Sequence, residues 1–145
     1  MIHTVMDNWN AHLRGEYPGG LDELLHDDCV FLSPIVFSPQ RGKELTKMYL
    51  GAAGNVLPGD TDSDGEKAAP DPDKAFRYTK KVLDGNHAVL EFETYIVDTA
   101  VNGVDIITCD DNGFIVEFKV MLRPMKAVEA VRDRMAAMLA TLEGT

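Results

Sequence analysis

The sequence predicts an α+β domain in which a cone-shaped, curved antiparallel sheet packs on N-terminal helices and an extra helix follows at the C-terminus. Two observations carry this. Apolar residues at helical spacing lie near the two ends of the chain, while residues 76–123 alternate apolar and polar as half-buried strands do. Helical and strand patterns are thus segregated along the chain and do not alternate, which separates α+β from α/β. A length of 145 residues suits one domain spanning 1–145.

The first helix is predicted over 2–13, where Ile2, Val5, Met6, Trp9 and Leu13 fall on one face. Gly15 and the Tyr17-Pro18-Gly19-Gly20 stretch end it. Leu21, Leu24 and Leu25 suggest a short second helix, and Cys29 to Ser33 a strand stopped by Pro34. Leu45, Met48, Tyr49 and Ala52 mark a third helix over 44–53. Residues 54–74 hold Pro58, Pro70, Pro72 and six acidic residues between Asp60 and Asp73, the composition of a flexible loop insertion. Strands are predicted over 76–83, 87–98, 104–110 and 114–123. The turns between them are Asp84-Gly85-Asn86, Asn102-Gly103 and Asn112-Gly113. Met125, Val128, Val131, Met135, Met138, Leu139 and Leu142 form one face of a final helix.

Charge and cysteine content exclude several classes. Acidic residues outnumber basic ones 24 to 14, for a net charge of −10. Nucleic acids and anionic membrane surfaces need clustered Lys and Arg, so neither is an expected partner. Cys29 and Cys109 form no CxxC, which argues against a disulfide framework or thiolate metal site. His3, His12, His26 and His87 lie on separate elements without ligand spacing, so no metal is expected from them. Asp60-x-Asp62-x-Asp64-Gly65 with Asp71 imitates a calcium loop. It lacks the bidentate Glu at the last position, and an acidic solvated loop is the better reading. No apolar run suits a membrane helix, and Met1 to Asp7 does not read as a signal peptide; a cytoplasmic location is expected.

Strand parity singles out Asp105. Residues 114–122 place Phe114, Val116, Phe118, Val120 and Leu122 on one face, which must look inward. With Asn112-Gly113 as a two-residue turn, Asp105 pairs with Val120 and so shares the inner face. With Asn102-Gly103 as a two-residue turn, Ile107 pairs with Asp98. Ala88, Leu90, Phe92, Thr94 and Ile96 then face inward, in agreement. A carboxyl group on an apolar face is costly unless paired or protonated, and desolvation raises its pKa. Asp105 is thus either a structural, hydrogen-bonded residue or a carboxyl group facing a ligand cavity. The expected cavity walls are Trp9, Tyr49, Leu90, Phe92, Phe118, Val120 and Leu122, with Ser33 and Thr94 as polar additions. Core packing is the competing reading for each.

The sequence resembles the SnoaL-like group of the nuclear transport factor 2-like superfamily, which also holds ketosteroid isomerases and limonene epoxide hydrolases. The resemblance rests on Asp28-Cys29-Val30-Phe31-Leu32-Ser33-Pro34, Gly42-Lys43-Glu44 and Ala88 to Glu93. It continues in Gly103-Val104-Asp105-Ile106-Ile107, Asp110 to Glu117 and Met121-Leu122-Arg123-Pro124. It implies the cone fold and a homodimer. It places Asp105 where the isomerase branch keeps a neutral oxyanion-hole aspartic acid. The general-base aspartate of that branch falls on Ser33 and its oxyanion tyrosine near Trp9. The implied function is binding of a steroid-, terpenoid- or polyketide-like molecule. Isomerisation, cyclisation or hydrolysis would use Asp105 as acid or hydrogen-bond donor, without metal or organic cofactor. The alternative is a non-catalytic binding or dimerisation module with a filled cavity.

Overall fold

A computed structural model describes residues 1–56 and 75–143. Helix α1 (Ile2–Leu13) and the single turn α2 (Leu21–Leu24) lead into strand β1 (Leu25–Leu32). The short β2 (Gln40–Arg41) and helix α3 (Lys43–Val56) follow. Four long strands come next: β3 (Arg77–Asp84), β4 (His87–Ile96), β5 (Thr99–Cys109) and β6 (Ile115–Arg123), and then helix α4 (Met125–Glu143). The acidic segment and its calcium-like pattern, Asp60 to Asp71, lie outside the described residues. Residues 54–56, expected to begin that loop, continue α3.

The six strands form one curved, unclosed sheet in the order β2-β1-β6-β5-β4-β3. It is mixed and not purely antiparallel: β1 runs parallel to β6. Strand β1 also starts four residues earlier than expected, because Leu25 leaves the helical turn and is fully buried in the sheet. All three longer helices cover the concave face. Helix α1 buries Ile2, Val5, Met6 and Trp9 against Ala88, Leu90, Ile107, Ile115 and Phe118. Ala127 and Val131 of α4 pack with Phe92, Ile96 and Val101 at the other end. Cys29 and Cys109 are buried, separate thiols.

Two turns differ from expectation, and both are instructive. The β4–β5 hairpin turns at Val97-Asp98, with Val97 at φ 54, and Asn102-Gly103 lies inside β5. Gly103 sits between Phe92 and Leu122, where a Cβ would come within 2.5 Å of the Phe92 ring and 2.7 Å of the Met121 carbonyl. Glycine is there for close packing of two large neighbours, not for a turn. Asn102 faces the other way and clips three strands. Its amide donates to Glu91 Oε2 and the Phe92 carbonyl, both at 3.0 Å, and its oxygen accepts from Arg123 at 3.2 Å.

The second difference is at Asn112-Gly113. The Asp110 amide donates to the Phe114 carbonyl at 2.8 Å, so residues 111–113 make a three-residue loop, held by the Asp110 carboxylate accepting from the Asn112 and Phe114 amides. A β-bulge follows, and the ladder shifts between Cys109↔Ile115 and Thr108↔Glu117. The bulge turns Ile115 into the core and leaves Phe114 37% exposed, the reverse of the expected faces. It also restores the parity beyond it, so Asp105 pairs with Val120 as expected.

Candidate functional site

Asp105 lies on the inner face of β5 between Leu90 and Val120, and is 6% exposed. Its one hydrogen-bond partner among the described residues is the Tyr78 hydroxyl, which donates to Oδ2 at 2.8 Å. Tyr78 reaches it from β3, across β4. The same phenol oxygen accepts the Trp9 indole N–H at 3.0 Å. An indole nitrogen only donates, so Trp9 occupies the acceptor side of Tyr78 and leaves its proton for Asp105. The helical spacing of α1 therefore reaches the site directly, because burying Ile2, Val5 and Met6 sets Trp9 over the sheet.

Burial raises the Asp105 pKa from 3.8 to about 7, and the hydrogen bond from Tyr78 only partly opposes this. The Tyr78 phenol is pushed well above its ordinary range, first by burial and then by the nearby Asp105 charge. Tyr78 thus keeps its proton, and the carboxyl of Asp105 is the group that titrates. Near neutral pH the pair exists with the carboxyl either neutral, able to donate to a ligand, or ionised and accepting from Tyr78.

The pair opens onto a cavity of about 900 Å³. Phe31, Tyr49, Phe92, Phe118, Val120 and Leu122 wall it, with Val131 and Met135 of α4 opposite. Phe31 stacks on Tyr49 at 5.4 Å between ring centroids, and Trp9 tilts against Phe118 at 5.1 Å. The described side chains leave this space unfilled. Of the residues expected to line it, Trp9, Ser33, Tyr49, Phe92, Phe118, Val120 and Leu122 do so. Leu90 and Thr94 do not, being sealed beneath α1 and at the α4 end of the sheet. Both face inward as expected, but an inner sheet position under a helix is core. Ser33 lines the cavity with its hydroxyl engaged, accepting from the Ile35 and Val36 amides at 3.0 and 3.4 Å.

Two side chains of the site, Tyr78 and Lys81, were not identified from sequence; His12, three positions from Trp9 and within reach of the cavity from α1 but read more readily as a surface histidine, belongs to the lining. His12 lines the cavity 5.5 Å from Trp9, and burial lowers its pKa, which favours the neutral imidazole. Tyr78 and Lys81 both face inward, because a bulge between Tyr78 and Lys80 changes the phase of β3. The break in alternation at Lys80-Lys81 was the available signal. Arg77 pairs opposite Glu93 and bonds it at 3.1 Å, at the edge of the cavity lining. Among the described residues no three His, Cys, Asp or Glu side chains come together as a metal site, and no helix is long and apolar enough to cross a membrane.

No family model matches the chain, and no curated protein matches its sequence. Solved structures do. A steroid delta-isomerase from Pseudomonas aeruginosa is 29% identical, with 99% of this chain and 95% of that one covered at a TM-score of 0.83. An uncharacterised bacterial protein with a cystatin-like fold from Silicibacter pomeroyi is 28% identical, covering 97% and 88% at a TM-score of 0.76. A SnoaL-like family protein from Agrobacterium tumefaciens shares the fold at 13% identity, covering 85% and 97% at a TM-score of 0.54.

Proposed function

We propose that this chain, whose fold is that of the nuclear transport factor 2-like superfamily with its SnoaL-like proteins, binds a small apolar molecule in its concave cavity and acts on it through Asp105. The observation that carries this reading is the Asp105–Tyr78 hydrogen bond in the wall of a largely apolar cavity. Such a cavity with few convergent polar groups is the usual form of a small-molecule site. A neutral carboxyl there donates to a ligand oxygen, and its low-dielectric surroundings strengthen the bond as charge develops on that oxygen. Isomerisation of a carbonyl compound fits this best, and the similar Pseudomonas protein is named as a steroid isomerase. The chain has Ser33 where a carboxylate base is implied. A proton-accepting role then falls to His12, the neutral imidazole on the cavity wall.

The outer sheet face supports a homodimer. Val89 stands opposite Ile106 and Val104 opposite Met121, and Val89 and Met121 are 36% and 51% exposed.

A panel of steroid, terpenoid and polyketide ketones, screened by thermal shift and by absorbance change of an unsaturated ketone, tests the function. The expected result is stabilisation by at least one ketone, weakened in Asp105→Asn. No stabilisation by any of them would favour a non-catalytic module.

A further inference from the structure

The mouth of the cavity gathers positive charge in a protein whose net charge is −10. Arg14, Arg77, Lys81 and Arg132 line it, and the buried Asp105 is the one carboxyl residue among the described lining. The three arginines are already engaged with carboxylates: Glu16 at 2.9 Å, Glu93 at 3.1 Å and Asp133 at 3.2 Å. Lys81 differs. It has no carboxylate partner among the described residues, and its ammonium stands 5.9 Å from the centre of the Tyr78 ring.

The placement of Lys81 is a consequence of the β3 bulge. Without it, Lys81 would share the outer, solvated side of the sheet. With it, Lys81 pairs opposite the buried Leu90 and stands at the cavity edge. Lys81 is exposed there, so its ammonium stays hydrated and open to an incoming anion while resting near an aromatic face. Here the aromatic face is Tyr78, the residue that also donates to Asp105, so the cation sits one phenol ring away from the carboxyl.

We propose that the cavity takes an amphipathic anion, an apolar body enclosed by the walls with a carboxylate, sulfonate or similar group held at the mouth by Lys81. This rests on the reading that the cavity binds an apolar molecule, and it adds the charge of that molecule. The arginines of the lining add attraction without contacting the anionic group, since each keeps its own carboxylate.

Two probes with the same apolar skeleton separate charge from apolarity: 8-anilino-1-naphthalenesulfonate, which is anionic, and N-phenyl-1-naphthylamine, which lacks the sulfonate. Quenching of Trp9, the single tryptophan, reports occupation of this cavity. The sulfonate is expected to bind about fivefold tighter than the neutral probe, a preference lost on adding salt. Lys81→Met is expected to weaken the sulfonate about fivefold and leave the neutral probe unchanged. Lys81→Arg should keep the preference. Lys80→Met, which removes the same charge opposite Glu91, should change neither probe. Equal affinity for the two probes, or a Lys81→Met effect shared by both, would overturn the anion inference while leaving the cavity reading intact. Failure of both probes to quench Trp9 would overturn both.

Discussion

The Tyr78 hydroxyl donates to Asp105 Oδ2 at 2.8 Å, joining β3 to β5 over the intervening β4. A bond spanning two strand spacings needs a side chain as long as tyrosine, lying along the concave face. The curvature of the sheet makes that face small enough to reach across. The Trp9 indole fixes the direction of the bond from above, so one polar atom pair inside an apolar cavity is set by a helix and two strands together.

Replacing Asp105 with Asn tests the cost of keeping a carboxyl there. The native pKa of about 7 lies above the ordinary 3.8, so the folded protein holds a proton that the unfolded chain releases between those values. The contribution of this group to stability is therefore full below pH 4 and is lost as pH rises through 7, over a span on the order of 4 kcal/mol. Asp105→Asn should change the melting temperature little at acidic pH and raise it at pH 8. Thermal melts at both pH values check this, and an equal change at both would contradict it.

Tyr78→Phe removes the donor to Asp105 and the acceptor for Trp9 at once. Two buried groups lose a partner, for an expected loss of about 1–3 kcal/mol in denaturant unfolding. The hydrogen bond from Tyr78 lowers the Asp105 pKa, so the variant carboxyl should titrate higher than the wild type. A lower value, measured by NMR, would show that Tyr78 acts by some other route.

Gly103→Ala places a methyl group against the Met121 carbonyl and the Phe92 and Leu122 side chains. The side chains can rotate but the carbonyl is part of the β5–β6 ladder. The expected loss is about 2 kcal/mol or more, together with weaker ligand binding because Phe92 and Leu122 are cavity walls. Urea unfolding checks the first part, and an unchanged midpoint would contradict the crowding seen at this position.

The fate of Gly103 also explains why the inner faces were legible and the turns were not. Asn102-Gly103 has the composition of a hairpin turn, yet Val97-Asp98 makes the turn, with Val97 in a conformation its sequence does not advertise. Both placements are two-residue turns, and so the same residues of β4 point inward in either. The β5–β6 connection kept Asp105 opposite Val120 for a different reason. A three-residue loop reversed the parity and the Val116 bulge reversed it back. Alternation records which side a residue occupies, and not how many residues a loop consumes. In β3 a bulge broke the alternation itself, which hid Tyr78, the partner of the very carboxyl that parity had identified. The parallel pairing of β1 with β6 has no local signal, since it joins segments more than eighty residues apart.

The outer-face pairs Val89–Ile106 and Val104–Met121 lead to the expectation of a dimer at micromolar concentration. Met121→Glu would place a charge at the centre of that face and should shift sedimentation towards the monomer. A wild-type monomer at the same concentration would contradict the dimer.

A neutral carboxylic acid in the cavity wall is central to the proposed chemistry, and the direct measurement is the carboxyl pKa of Asp105 by carbon-detected NMR titration, assigned with Asp105→Asn. The expected value is about 7, set by burial. A value at or below the ordinary 3.8 would mean that Asp105 is solvated or ionically held. It would remove the acid from the proposed chemistry.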